Sequence, residues 1–338
     1  MQVRHPDRGP AQDASDGIAV VIPCFRVSRH VLGVIAAIGP EVSRIYVVDD
    51  ACPEGTGERV RAECRDPRVQ VLRNASNQGV GGAVLAGYAA AIADGARVIV
   101  KIDGDGQMDP GLLPAFVAPI LAGEADYTKG NRFYDLENIG RMPGLRLFGN
   151  AALSFMAKIS TGYWDVFDPT NGYTAIHADV ARLLPAGRIS KRYFFETDML
   201  FRLNTVRAVV VDVPMDAHYG DEVSNLRISR VLGEFLFKHV RNFGKRIFYN
   251  YFLRDLSVAS LELVVGSAML GFGVVFGSWQ WWHSAQAGVS TPTGTVMLAA
   301  VPVILGLQFL LAFLGYDIAS VPRRPLWPAR ALAHARRP

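Results

Sequence analysis

The chain has 338 residues, half of them hydrophobic, and a formal net charge of +4. This length exceeds the roughly 220 to 250 residues of one large α/β domain, so we expect a second, hydrophobic part. A net charge this small excludes a uniformly basic surface, and we expect no nucleic-acid partner. The three cysteines have neither zinc-site spacing nor an even number, which predicts a reducing compartment.

Short apolar runs alternate with helical patterns in the first part of the chain. Residues 1–17 are polar and lack an apolar segment, so we expect a disordered lead and no signal peptide. Apolar runs at 18–22, 44–48 and 68–72 enclose two segments with helical spacing. This alternation predicts parallel strands joined by right-handed crossovers.

The stretch 98–110 carries the strongest chemical signal. A β-branched run at 98–102 is followed by Asp103 and Asp105, with glycines between and after them. Ligands bind at the carboxyl edge of an α/β sheet, where such a strand places its acids. Two carboxylates this close repel each other without a cation, and their oxygens suit Mg²⁺ or Mn²⁺ bound with substrate phosphates. An acidic turn capped by Asp109 is the alternative.

A polar, glycine-rich turn at 74–82 leads into an alanine-rich helical segment at 83–93. Amides at a helix N-terminus behind glycines can bind an anion. A tight connection between strand and helix would use the same residues, so both interpretations stay open at this point.

Five motifs follow one another along the chain. They are Val-Ile-Pro-Cys-Phe at 21–25, Val-Val-Asp-Asp at 47–50, Asn-Gln-Gly at 77–79, Asp-Gly-Asp-Gly-Gln-Met-Asp-Pro at 103–110 and Gly-Asn-Arg at 130–132. In this order and spacing they resemble family 2 glycosyltransferases. The resemblance covers residues 18–225 and implies a GT-A catalytic domain, an α/β fold with a Rossmann-like mixed sheet that binds a nucleotide sugar.

The resemblance also implies roles for individual residues. The residues expected along the nucleotide sugar are Pro23, Asp49, Asp50, Gly79 and Asp103. A divalent ion, Mg²⁺ or Mn²⁺, is expected on the diphosphate, held by Asp105 together with Asp103 and Gln107. The catalytic residues expected from the motifs are Asp105, Asp198 and Arg132.

The resemblance implies that the region from 142 to 176 forms the acceptor side of the cleft. Asp168 either lines the acceptor site or initiates the turn at Pro169. The segment 194–200 resembles the Glu-x-Asp element of the family, which makes Asp198 a candidate; a helix cap is the alternative. The cations expected on the acceptor phosphate are Lys129, Arg141, Arg146 and Arg202, besides Arg132. Residues 218–225 resemble a loop of polyprenol-phosphate sugar synthases, although Ser224-Asn225 replaces their usual Ser-Lys.

The rest of the chain is basic and hydrophobic. Segment 226–255 has a basic face and an aromatic-aliphatic one, which predicts a helix in the membrane interface or one packed on the catalytic domain. The hairpin 256–316 contains two apolar segments, 256–278 and 294–316, long enough to cross roughly 30 Å of hydrocarbon. The loop between them lacks Lys and Arg whereas both flanks carry them, so the catalytic domain and the tail 317–338 are expected in the cytoplasm.

These features predict a multi-pass glycosyltransferase of the inner membrane. It would move a sugar, with inversion, from a nucleotide-diphosphate sugar to a membrane polyprenyl phosphate, for glycan or cell-envelope assembly. Transfer to a sugar hydroxyl on a lipid-linked glycan is one alternative, and a non-catalytic membrane scaffold is another. Glu262, an acid inside the first apolar segment, either lies near the interface or pairs with a partner in a homo-oligomer.

Overall fold

The computed structural model describes residues 17–134, 144–216 and 228–329, apart from the side chains of 145–147 and 228–232. The chain forms two compact units. The first comprises the described residues up to Asn242 together with those from Pro322 onward, and the second comprises Phe243–Val321. The predicted Arg141 lies outside the described residues, as does the whole of the predicted loop 218–225.

The strands of the first unit form one mixed sheet. They are β1 (Ile18–Cys24), β2 (Arg44–Asp49), β3 (Val69–Arg73), β4 (Val98–Lys101), β5 (Tyr127–Asn131), β6 (Thr174–His177) and β7 (Val210–Pro214). Their order in the sheet is β3-β2-β1-β4-β6-β5-β7. Strands β1 to β4 are parallel, whereas β6 runs antiparallel to both β4 and β5. The predicted mixed α/β sheet is confirmed.

The helices follow the predicted alternation. They are α1 (Val31–Ala36), α2 (Thr56–Glu63), α3 (Val80–Ala93), α4 (Leu113–Leu121), α5 (Gly144–Thr161), α6 (Ala178–Ala181), α7 (Phe195–Val206), α8 (Ile228–Phe248), α9 (Val258–Gln286) and α10 (Thr293–Ala319). Helix α3 contacts β1 closely because Gly87 has no side chain, and a Cβ there would collide with Val21.

The core explains why the site lies where it does. Every residue of β1 and β4 is buried, as expected for β-branched strands covered on both faces. The two strands pair in parallel, so their carboxyl ends meet at one edge of the sheet. The residues after Cys24 and Lys101 are thereby brought together.

Helix α8 has an unusual distribution of polarity. Within the first unit its His239 and Asn242 are buried, and the His239 ring accepts or donates a hydrogen bond with Ser160 at 2.8 Å. On its exposed surface lie Leu236, Phe237 and Val240, with 52%, 66% and 61% of their areas accessible. Two polar side chains therefore pack on protein while three apolar ones are exposed, which is unusual for a surface helix of a soluble domain.

The second unit contains a pair of long apolar helices, α9 with 29 residues and α10 with 27. Both are long and apolar enough to cross a membrane by length and composition. They pack through small residues: a Cβ at Gly273 would lie 2.7 Å from the Ala299 carbonyl oxygen, and one at Gly306 would lie 2.7 Å from the Leu270 nitrogen. Such close backbone approach is typical of helix pairs in lipid.

A buried ion pair joins the ends of the second unit. The Arg246 guanidinium donates to both oxygens of Asp317, at 2.6 and 3.0 Å, and the Tyr251 hydroxyl donates to the same carboxylate at 2.6 Å. Both charged residues are 2% exposed. A bidentate pair with a further donor fixes the end of α8 relative to the end of α10.

The segment from Pro322 onward packs on the first unit. Asp126 accepts hydrogen bonds from the backbone nitrogens of Leu326 at 2.8 Å and Trp327 at 3.1 Å. The Trp327 ring stacks on His177 with 4.5 Å between ring centroids. Of the predicted tail 317–338, residues 322–329 therefore belong to the same compact unit as the sheet, whereas 317–321 belong to the second unit.

Candidate active site

A cleft of about 330 Å³ lies at the carboxyl edge of the sheet. It is lined by residues that follow β1, β2 and β4, by the start of α3, and by a pair that precedes α7. These residues are Pro23, Cys24, Phe25, Val27, Asp50, Asn77, Gly79, Val80, Ala83, Asp103, Gly104, Asp105, Arg192 and Tyr193. Five predicted site residues, Pro23, Asp50, Gly79, Asp103 and Asp105, are thus brought together.

Asp50 holds the glycine-rich turn in place. Its two carboxylate oxygens accept hydrogen bonds from the backbone nitrogens of Gln78 and Gly79, both at 2.8 Å, and from the Asn74 side chain at 2.7 Å. Gly79 adopts a positive φ of 84°, which favours glycine. The carboxylate that lines the cleft therefore also shapes it.

The amides at the start of α3 are already bonded within the chain. The backbone nitrogens of Gly81 and Gly82 donate to the Lys191 carbonyl at 2.9 and 3.3 Å. Of the two interpretations of this turn, the geometry favours the tight connection over the anion site, because those donors are occupied.

Asp49 does not line the cleft. It is 1% exposed, and its oxygens accept from the backbone nitrogens of Cys52 and Gly57, both at 2.7 Å. Successive side chains of a strand point to opposite sides, so Asp49 and Asp50 cannot both face one cleft. The expected position of Asp49 along the nucleoside needs this correction: it anchors the start of α2.

A buried lysine lies behind the acidic pair. The Lys101 ammonium is 3.0 Å from an oxygen of Asp103 and 3.3 Å from one of Glu196. Burial acts to lower the pKa of Lys101, but the two carboxylates outweigh it and raise that pKa above its ordinary value. Gly172 is required beside them, since a Cβ there would collide with both the ammonium and Asp103. Lys101 therefore stays charged and fixes Asp103.

The acidic pair can hold a divalent ion. Asp103 and Asp105 both line the cleft, and Asp105 accepts a hydrogen bond from the Gln107 nitrogen at 3.0 Å, which closes the turn. The Gln107 side chain is not among the lining residues. No cluster of three His, Cys, Asp or Glu side chains suited to a metal occurs in the described ranges. Two carboxylates fit Mg²⁺ or Mn²⁺ when substrate phosphates and water complete the shell.

Arg132, predicted as a catalytic residue and as a cation on the acceptor phosphate, forms a fork with a buried acid. Its Nε and Nη2 donate to the two oxygens of Asp168 at 2.7 and 3.0 Å. Although burial opposes it, the Arg132 guanidinium holds the pKa of the Asp168 carboxyl below its usual range. The Arg132 side chain remains 31% exposed. Asp168, with 1% exposure, thus orients Arg132, and neither residue is among those that line the cleft.

Comparison with known proteins identifies the family. Residues 19–184 match the sequence model of the family Glycosyl transferase family 2. It is 34% identical to the undecaprenyl-phosphate mannosyltransferase of Micrococcus luteus, over 59% of this chain and 82% of that one. This chain belongs to glycosyltransferase family 2.

One further relative and one solved structure are similar to this chain. The polyprenol monophosphomannose synthase of Mycolicibacterium smegmatis is 30% identical, over 58% of this glycosyltransferase and 75% of that protein. A crystal structure of glucosyl-3-phosphoglycerate synthase from Mycobacterium tuberculosis, with Mn²⁺, UDP and phosphoglyceric acid, has a TM-score of 0.51 at 19% identity. It covers 68% of this chain and 78% of that one, and shows the same fold.

Two predicted acceptor cations of the glycosyltransferase do not reach the cleft. Lys129 is fully buried, donates to the Asn171 carbonyl, and has its pKa lowered by burial to about 8. Arg202 is 8% exposed and donates to the Arg188 carbonyl at 3.0 Å. Their expected contact with an acceptor phosphate is corrected accordingly: both are internal. The Arg146 side chain lies outside the described residues.

Of the two acids predicted as catalytic, Asp105 lines the cleft but Asp198 is internal. Asp198 is fully buried, and its oxygens accept from the Ser190 nitrogen at 2.8 Å and the Asn242 side chain at 3.0 Å. The other acid of this Glu-x-Asp element, Glu196, contacts the Lys101 ammonium, which also contacts Asp103. The family motif indicated the element, but neighbours from distant parts of the chain decide which acid is buried.

Arg192 and Tyr193 are cleft residues that sequence reasoning missed. They lie on a loop before α7, where neither strand nor helix periodicity applies. The sequence offers only a weak signal for them, an Arg-Tyr pair directly before Phe194 and Phe195. In the structure both phenylalanines are buried, whereas Tyr193 is 58% exposed and lines the cleft.

Proposed function

We propose that this glycosyltransferase moves a sugar from a nucleotide diphosphate to the phosphate of a membrane polyprenol, with inversion at the anomeric carbon. The observation that carries the proposal concerns the Glu-x-Asp element. Asp198 is buried with both oxygens bonded, and Glu196 contacts the Lys101 ammonium. Asp198 is fully buried, Glu196 is paired with a buried lysine, and neither lines the cleft, so neither is available as a base for an acceptor hydroxyl.

This arrangement suits a phosphate acceptor better than an alcohol. A sugar hydroxyl needs a positioned base, which contributes about 10² to 10⁴ in rate. A phosphate monoester has a second pKa near 6 and is largely a dianion at neutral pH. It therefore attacks without losing a proton to the protein. The names of the relatives in Micrococcus luteus and Mycolicibacterium smegmatis support the same acceptor class.

The reaction exchanges one bond for another. An oxygen of the acceptor phosphate forms a bond to the anomeric carbon as the bond from that carbon to the donor diphosphate breaks. The nucleoside diphosphate leaves with the electron pair, so a single displacement inverts the carbon. A divalent ion held by Asp103 and Asp105 would neutralise charge on the leaving diphosphate.

The protein side chains position both substrates. Pro23 and Asp50 line the part of the cleft assigned to the nucleotide. Lys101 holds Asp103 from behind. Arg132, oriented by Asp168, is the cation we assign to the acceptor phosphate, because a guanidinium suits paired contacts to phosphate oxygens.

A membrane location follows from three features of the chain. Helices α9 and α10 are long and apolar enough to span, and α8 exposes apolar side chains. Two spans return the chain to the side it left, which agrees with residues on both sides of the hairpin belonging to one unit. Because the connecting loop lacks Lys and Arg, we assign the catalytic unit to the cytoplasmic face of the inner membrane.

The test is transfer by membranes that contain the full chain. We would supply a panel of radiolabelled nucleotide sugars with Mg²⁺, add polyprenyl phosphate, and extract the lipid. We expect label in a polyprenyl phosphate sugar, in proportion to added carrier. Label only in a larger lipid-linked glycan would favour a hydroxyl acceptor, and absence of transfer with every donor would favour the scaffold.

A further inference from the structure

A loop that no motif indicated forms one wall of the donor cleft. We call residues 188–193 the cleft loop. The Lys191 carbonyl accepts from the nitrogens of Gly81 and Gly82, and the Lys191 ammonium lies 3.1 Å from the Gln78 side-chain oxygen. The loop is therefore attached to the glycine-rich turn that Asp50 shapes.

The same loop is held from its other side by helix α7. Asp198 accepts from the Ser190 nitrogen at 2.8 Å, and Arg202 donates to the Arg188 carbonyl at 3.0 Å. These two side chains are buried and do not line the cleft. Asp198 and Arg202 thus act as positioning residues for the loop.

The cleft loop presents Arg192 and Tyr193 to the donor. Among the described residues that line the cleft, the charged ones are Asp50, Asp103, Asp105 and Arg192. In the described part of the chain, the Arg192 guanidinium makes no hydrogen bond or ion pair. The pKa of Glu234 is lowered mainly by Lys238, with which it is paired at 2.6 Å, and to a smaller extent by Arg192.

We propose that Arg192 binds the diphosphate of the donor in the cleft that Asp103 and Asp105 also line. The inference rests on the proposed function. A divalent ion held by two carboxylates adds no net positive charge to the cleft, whereas each phosphate of the donor is anionic. An arginine that lines the same cleft supplies that charge and two parallel donors. Phosphate recognition is thereby shared between the ion and the cleft loop.

The experiment compares two arginines of one loop. Binding of UDP and of GDP to the full chain in detergent, with Mg²⁺, would be measured by calorimetry for the wild type, Arg192→Ala and Arg192→Lys. Arg188→Ala is the matched control, since it removes the same charge from an exposed side chain of the loop that does not line the cleft. The Arg188 carbonyl, which Arg202 contacts, is unchanged.

We expect Arg192→Ala to weaken nucleoside diphosphate binding by about tenfold or more, with Arg192→Lys intermediate and Arg188→Ala within about twofold of the wild type. Arg192→Lys keeps a cation of similar length, so it stays informative if the alanine variant is unstable. Unchanged binding by both Arg192 variants, or an equal loss in Arg188→Ala, would overturn the inference alone. Failure of the wild type to bind any nucleoside diphosphate would overturn the proposed function as well.

Discussion

The Lys101 ammonium lies 3.0 Å from the carboxylate of Asp103, and this buried lysine also contacts Glu196 at 3.3 Å. One cation therefore joins the end of β4 to the first turn of α7. Asp103, which lines the cleft, and the element that carries Asp198 are coupled through a single side chain. Because Lys101 is 1% exposed, the contact is little screened by solvent or salt.

Lys101→Met should destabilise the first unit. The substitution leaves Asp103 and Glu196 close together without their cation, and removing one partner of a buried pair costs about 3 kcal/mol or more. The measurement is the thermal unfolding temperature of the purified chain. Adding Glu196→Gln to Lys101→Met should recover part of the lost stability, because it removes the charge of one of the two carboxylates left without a cation. Strictly additive losses would contradict the coupling.

Asp105→Asn should reduce donor binding only when a divalent ion is present. We expect nucleoside diphosphate affinity to fall about tenfold in Mg²⁺ and to match the wild type in excess chelator, since the carboxylate acts through the ion. Chelation should also abolish transfer. The control is Asp109→Asn, an exposed cap of the next turn that accepts from the Gly111 nitrogen at 2.8 Å. Full activity in chelator would show that the acids do not hold a required ion.

Asp198→Asn should lower the rate of transfer through the cleft loop rather than through proton removal. Asparagine accepts a weaker hydrogen bond from the Ser190 nitrogen than the carboxylate does. The affinity for the nucleotide sugar should therefore fall together with the rate, by about tenfold. Rates from pH 7 to 9 are the informative measurement, and we expect no recovery. A steep rise in alkali would instead indicate that Asp198 deprotonates an alcohol.

Acid should loosen the packing of Trp327 on the first unit. Burial lowers the pKa of His177 to about 4, below its ordinary value of 6.5, so the folded protein favours the neutral ring. The stability that this provides is complete above pH 6.5 and is lost as the pH falls from 6.5 to 4. His177→Phe keeps a ring for stacking and cannot titrate. The difference in free energy of unfolding between wild type and variant should fall across that window, whereas a constant difference would refute the mechanism.

The membrane topology can be tested with single cysteines. Ser290→Cys lies in the loop between α9 and α10, and Arg324→Cys lies on the exposed segment after α10. An impermeant thiol reagent added to intact cells should label the first, and the second only after lysis. The parent chain, with its three native cysteines, gives the background. The reverse pattern would invert the assignment.

The sequence was sufficient for features that depend on local chemistry. Buried β-branched strands that end in acids predicted the sheet edge and the positions of Asp50, Asp103 and Asp105. The adjacent Asp49 was misplaced, although the alternation of side chains along a strand was available as a signal. Lys129 and Arg202 could not be judged as internal, because their burial depends on segments far away in the chain. Arg192 was missed for the same reason: its position follows from the contact of Lys191 with the start of α3.

The discontinuous first unit has a practical consequence for making a water-soluble catalytic fragment. Stopping the chain at Asn242 would retain the contact with Asp198 but remove Leu326 and Trp327, leaving Asp126 without two backbone donors and His177 without its stacked ring. An earlier stop, before α8, would also release Asn242 and uncover Ser160. A fragment that replaces 243–321 with a flexible linker and keeps 322–329 preserves both sets of contacts, and it is the design we favour for crystallisation with donor nucleotides.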